Sequence, residues 1–164
     1  YFTVRGIFEA KTLDIAVHAV RRARRAIPAN LLLISPEGPA DLEVTLEDVH
    51  LLRGEIVTHT NHCVHPDLLH INDTFPELIQ SHPRKWRIDQ LLVAADEPLK
   101  IERVKAALRD HEDHPMSICR HANDDPFTGF WTSVFSVIIE ADAGRMHISR
   151  GNPCEHPYEV YQLN

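Results

Sequence analysis

The apolar residues of this chain change their spacing several times along its length, and that switching restricts its architecture more than any single motif. Over residues 12–27, Leu13, Ala16, Val20, Ala23 and Ile27 recur on one helical face, with Thr12 as N-cap, Asp14 in the first turn and Pro28 just beyond the end. Short β-like stretches follow at 31–35, 42–47 and 55–65, separated by Pro36-Glu37-Gly38-Pro39 and by Arg53-Gly54. A second helical segment begins near Ser81, with Pro83 in its first turn and Ile88, Leu91, Leu92 and Ala95 on one side. A third begins at Pro98, with Ile101, Val104 and Leu108 as a narrower stripe, and the two read as a helical hairpin. Strands return at 117–120, 132–140, 145–149 and 158–163, with Ala143-Gly144 as a tight turn. Helices and strands thus come in separate runs, which predicts an α+β fold of antiparallel sheet and helix layers rather than alternating βαβ units. With no internal repeat and no long linker, residues 1–164 read as a single domain.

The chemistry of the surface narrows the partners. A net charge of −7 lacks the positive potential that nucleic acid or an anionic membrane requires, which leaves small molecules or proteins. The four arginines at 21, 22, 24 and 25 read as a solvated helix face. Cys63, Cys119 and Cys154 form an odd set without repeated spacing, which suits free thiols in a reducing, cytoplasmic setting. No apolar run approaches the roughly 20 residues that span a bilayer. Tyr1 to Arg5 have no signal-peptide layout and run without an initiator Met into a helical or extended element, as in a processed or truncated product.

Two polar clusters are candidates for chemistry. In Thr58-His59-Thr60-Asn61-His62-Cys63-Val64-His65, read as a strand, His59, Asn61, Cys63 and His65 share one face. The Asn61 amide is a fixed neutral donor suited to a developing oxyanion; a buried Asn bonded to a neighbouring loop is the plainer alternative. In His114-Pro115-Met116-Ser117-Ile118-Cys119-Arg120-His121, Ser117, Cys119 and His121 share a face and Arg120 lies on the other. Arg120 is a permanent cation that would steady a thiolate or carboxylate, or simply form a surface ion pair.

The histidines raise a metal hypothesis, through His59, His62, Cys63 and His65, or through His111 and His114 with Cys119 and His121. Neither HExxH nor paired CxxC is present, so no metal site is expected. A Cys63 or Cys119 nucleophile beside a histidine base is a further alternative, although such dyads normally assemble across a fold rather than between sequence neighbours.

Together and in this order the clusters resemble the acyl-coenzyme A:6-aminopenicillanic acid acyltransferase family, also called isopenicillin N acyltransferase-like. Val57 to Cys63 is similar to the family's HTNHC segment, and Ser81 to Leu92, with Arg84, Trp86, Arg87 and Leu91-Leu92, to the helix after it. Pro115 to Arg120 is similar to its SICR segment, and Gly151 to Pro157 to the turn before its last strand. The resemblance spans essentially the whole chain, most weakly over residues 1–50.

It implies a four-layer αββα sandwich of the N-terminal-nucleophile hydrolase type, here an incomplete C-terminal portion, made as a precursor that cleaves itself to expose a Cys. The nucleophile would lie upstream of Tyr1, so the chain alone is expected to be inactive and to need the N-terminal part of the same precursor as partner. By position, Asn61 would build the oxyanion hole, Arg120 would stand beside the nucleophile and Ser117 would support it, while His59 and Cys119 would line the substrate. The substrate class is a small amide or thioester, acyl-coenzyme A included, and no cofactor is implied. Uncovered sheet edges favour self-association as well. Two other readings compete: a non-catalytic association module that binds a partner chain, and a zinc hydrolase built around His59 and His62.

Overall fold

The computed structural model describes residues 2–74, 79–94 and 98–162, and the chain divides into two units, Tyr1–Pro76 and Glu77–Asn164. Ala95, Leu163 and Tyr1, which the sequence patterns include, lie outside the described residues.

In the first unit Phe2–Phe8 (α1) precedes Leu13–Arg22 (α2), whose start is fixed as expected: the Thr12 hydroxyl accepts the Ile15 N–H at 3.3 Å. The helix stops at Arg22 rather than Ile27, because Arg25 folds back and donates to the carbonyls of Val20, Arg21 and Ala23, groups that a helix end leaves without partners. The same guanidinium reaches the carbonyls of Thr45 and Leu46, and Arg21 reaches that of Val49, so these two arginines tie α2 to the sheet instead of merely facing solvent. Ile27, expected on the apolar face, is 72% exposed.

The sheet is Ala29–Ser35 (β1), Gly38–Val44 (β2) and Val49–Arg53 (β3), antiparallel in that order, with Ser35 opposite Gly38 and Val44 opposite Val49. Gly38 closes the first hairpin at φ +103, a conformation that side chains disfavour. One face of β2, Ala40, Leu42 and Val44, joins Val49 and the α2 residues Leu13, Val17 and Val20 in the core. The strand expected at 55–65 is absent: that stretch is irregular. Its backbone finds side-chain partners in place of a ladder. Glu43 accepts the Val64 and His65 N–H groups at 2.6 and 2.9 Å, while Asn72 both accepts from the Cys63 N–H and donates to the Cys63 carbonyl. Pro66–Leu68, a 3₁₀ turn, and Leu69–Asn72 (α3) bring Asn72 to that position.

The second unit holds Ser81–Leu92 (α4) and Ile101–Leu108 (α5), which pack together as the hairpin reading requires, though α5 starts after Lys100 rather than at Pro98. Arg87 of α4 grips Asp110 with two bonds of 2.9 and 2.7 Å. The second antiparallel sheet is Phe135–Glu140 (β4), Arg145–Arg150 (β5) and Glu159–Gln162 (β6), with the β4–β5 turn at Ala143-Gly144 as read from sequence. Residues 117–120 are not a strand. The chain is α+β with antiparallel sheets, and among the described residues no helix is long and apolar enough to cross a membrane.

Candidate active site

Strand β2 carries acids where alternation predicts solvent. Asp41 and Glu43, on the face opposite the α2 core, are 0% and 4% exposed because the 54–65 segment folds over them. His59 is the side chain that makes this tolerable: its Nε2 lies 2.9 Å from Glu43 and 3.9 Å from Asp41, and Asn30 donates to Asp41 from the neighbouring strand. A buried acid on a central strand needs a donor, and His59, expected from the sequence only to line the substrate or hold a metal, fills that part.

With His59 and the backbone of 63–65 fixed, Asn61 is left exposed on the wall of a cavity of about 260 Å³. His59, His62, Cys63, Glu43, Leu68 and Ile71 line the same cavity. Asn61 is thus exposed rather than buried, while its neighbours hold the backbone.

Charge here is set by opposing effects. Burial works against an ionised Glu43, yet the bonds from His59, Val64 and His65 outweigh it and hold the carboxyl below its ordinary range. Burial likewise opposes a charged His59, but Glu43 and Asp41 outweigh it and raise its pKa. Burial, then the Glu43 charge, pushes the Cys63 thiol up.

A raised histidine stabilises the fold fully below its unfolded pKa and loses that contribution as pH rises through the folded value. A depressed carboxylate contributes above its unfolded pKa and loses it as pH falls. The pair is thus strongest between about pH 4.5 and 6.5, the ordinary carboxylate and imidazole values. Thermal midpoints of the wild type and His59→Gln, measured from pH 4 to 9, should differ most in that window and converge on its alkaline side; a constant gap would rule the ion pair out.

In the second unit Ser117 is 1% exposed and donates to the Cys119 carbonyl at 2.7 Å, so its hydroxyl shapes the segment. Cys119 is fully buried, with its sulfur 3.6 Å from that of Cys154. Arg120 is 8% exposed; its backbone is clamped to Ser133, one guanidinium nitrogen donates to the Ile79 carbonyl at 2.9 Å, and Nε has no partner among the described residues. Burial lowers its pKa, and among the described residues no carboxylate lies in ion-pair contact with it.

Among the described residues three groups gather enough ligand atoms for a cation: Asp41, Glu43 and His59; His50, His65 and Asp67; and His111, Cys119, His121 and Cys154. The sequence had paired His111, Cys119 and His121 with His114; the fold brings Cys154 instead, a residue no local spacing could nominate.

Asn61 in the first unit lines a cavity, and Arg120 in the second is buried with no carboxylate partner among the described residues. The chain belongs to the acyl-coenzyme A:6-aminopenicillanic acid acyl-transferase family, whose model matches residues 1–155. That family is one of acyltransferases, and the resemblance read from the motifs is borne out. No curated protein matches the chain.

Proposed function

We propose that this chain is the C-terminal part of an N-terminal-nucleophile amidohydrolase or acyltransferase whose nucleophilic Cys comes from the upstream part of the same precursor. The observation that carries this reading is Asn61, held at the cavity wall by anchors on either side of it. The α-amino group of the incoming Cys takes the thiol proton, a transfer between groups whose pKa values lie within about one unit. The sulfur attacks an amide or thioester carbonyl, and Asn61 donates its amide N–H to the oxyanion. Collapse expels the amine or thiol, which takes the proton back, and leaves an acyl-enzyme for water or an acceptor amine. A role for Arg120 as a cation beside the nucleophile rests on the resemblance of its motif alone.

The chain's own thiols are poorly suited to the nucleophile's part. Burial, then the Glu43 charge, pushes the Cys63 thiol up, and Cys119 has no accessible surface.

The second sheet supports the αββα architecture. Its buried face carries the polar His147 and Ser149, whereas Phe135, Val137 and Ile139 stand 63%, 40% and 59% exposed on the other. A sheet with its apolar side outward is built to meet another sheet.

Intact-mass measurement of the native protein tests the proposal. A companion chain that begins with Cys, and gains one acyl group on that residue with a thioester substrate, is the expected result. Its absence would instead support a non-catalytic association module.

A further inference from the structure

Four side chains from three separate segments of the second unit converge on one point. His111 follows the end of α5, Cys119 and His121 sit in the segment after it, and Cys154 lies in the β5–β6 connection. Each offers one lone-pair atom, and all four atoms lie within 4.8 Å of one another. The sulfurs of Cys119 and Cys154 are 3.6 Å apart, the Nε2 atoms of His111 and His121 are 3.0 Å apart, and His121 Nε2 lies 3.9 and 3.2 Å from the two sulfurs.

A tetrahedral zinc ion with its usual bond lengths separates two sulfurs by about 3.8 Å, two nitrogens by about 3.3 Å, and sulfur from nitrogen by about 3.6 Å. Every quoted separation falls within a few tenths of an ångström of those values. Hydrogen bonding alone explains the arrangement less well, because it must place four acceptor-capable atoms around a common centre with protons shared among them. We propose that His111, Cys119, His121 and Cys154 form a structural zinc site of the Cys₂His₂ type.

The surroundings are those of a ligand cage. Glu155 Oε1 lies 3.6 Å from the other ring nitrogen of His121, on the side where a carboxylate fixes a metal-binding tautomer. The Cys119 N–H donates to the Asp110 carbonyl, and Asn152 points its amide at the Cys119 sulfur from 3.8 Å. Arg109 donates to the Pro153 carbonyl, so the first and third segments are tied independently of any ion. Gly151 makes the last turn possible: at φ +101, a Cβ there would sit 2.6 Å from the His156 ring.

On binding, both thiols release their protons to solvent as two Zn–S bonds form, and both rings coordinate as neutral imidazoles through Nε2. Four protein ligands leave no open position, so the ion staples the unit and takes no part in catalysis. His111 and Cys154 are exposed, which gives the ion a way in. The site does not depend on the roles proposed for Asn61 and Arg120.

The test uses the full protein under reducing conditions, loaded with Zn²⁺ and freed of excess ion. Elemental analysis should find about one zinc per chain. Co²⁺ in its place should give the strong visible bands of a tetrahedral centre with thiolate charge transfer. Cys154→Ala and His111→Ala, both at exposed positions and checked for retained circular dichroism, should weaken zinc binding more than about 100-fold, beyond the range of outer-shell changes; Glu155→Gln should fall within that range, at about 10-fold. Less than about 0.1 equivalent of zinc, a six-coordinate cobalt spectrum, or near wild-type affinity in folded Cys154→Ala would overturn the proposal.

Discussion

Asn61→Ala in the complete enzyme is expected to lower kcat by about 10²- to 10³-fold while KM and thermal midpoint stay close to wild type. On the proposed role, the size follows from removing one preorganised donor where charge would develop: the substrate carbonyl would need that bond little, and the oxyanion greatly. The stability side follows from the anchors. Glu43 binds the backbone of Val64 and His65, Asn72 binds that of Cys63, and His59 is held by Glu43, so the loop keeps its course when the Asn61 side chain is cut back. Steady-state kinetics beside a melting curve separate the outcomes. A rate within a few-fold of wild type ends the assignment, and a collapse of the melting temperature moves Asn61 from chemistry to architecture.

The largest loss of stability is expected at Glu43. Its carboxylate is 4% exposed and takes three hydrogen bonds, from the His59 ring and from the N–H groups of Val64 and His65. Glu43→Ala leaves an imidazolium and two part-buried backbone donors without their carboxylate partner. Breaking one side of such a buried pair costs about 3–5 kcal/mol, above the value of an exposed ion pair. Urea unfolding near pH 6, where both partners carry charge, measures it. A change below about 1 kcal/mol would show that solvent enters freely and that the loop does not depend on the strand.

What the sequence disclosed, and what it concealed, divides along the distance over which each interaction acts. Thr12, Asp14 and the apolar repeat from Leu13 to Val20 place α2 because capping and periodicity are local, and Ala143-Gly144 places a turn for the same reason. The early end of that helix was hidden, since it depends on Arg25 gathering carbonyls from both the helix and the β2–β3 turn. Residues 55–65 read as a strand because their composition suits one; a carboxylate from β2 replaced the ladder partner, and no property of the segment itself reveals that. Asn61 and Arg120 could be singled out from their motifs. Asp41 and Glu43 could not, because an apolar and acidic alternation ordinarily means a strand with one wet face. Cys154 stood 33 residues from His121 and joined it only through the fold.

The outward apolar side of β4 turns the making of this protein into a contest between two reaction orders. On the proposed reading, coverage by a segment of the same precursor would be first order, at a rate indifferent to how crowded the solution is. Pairing of Phe135, Val137 and Ile139 with the same residues of another molecule is second order and accelerates as material accumulates. Dilution would then favour the proposed layer, and abundance the mismatched one.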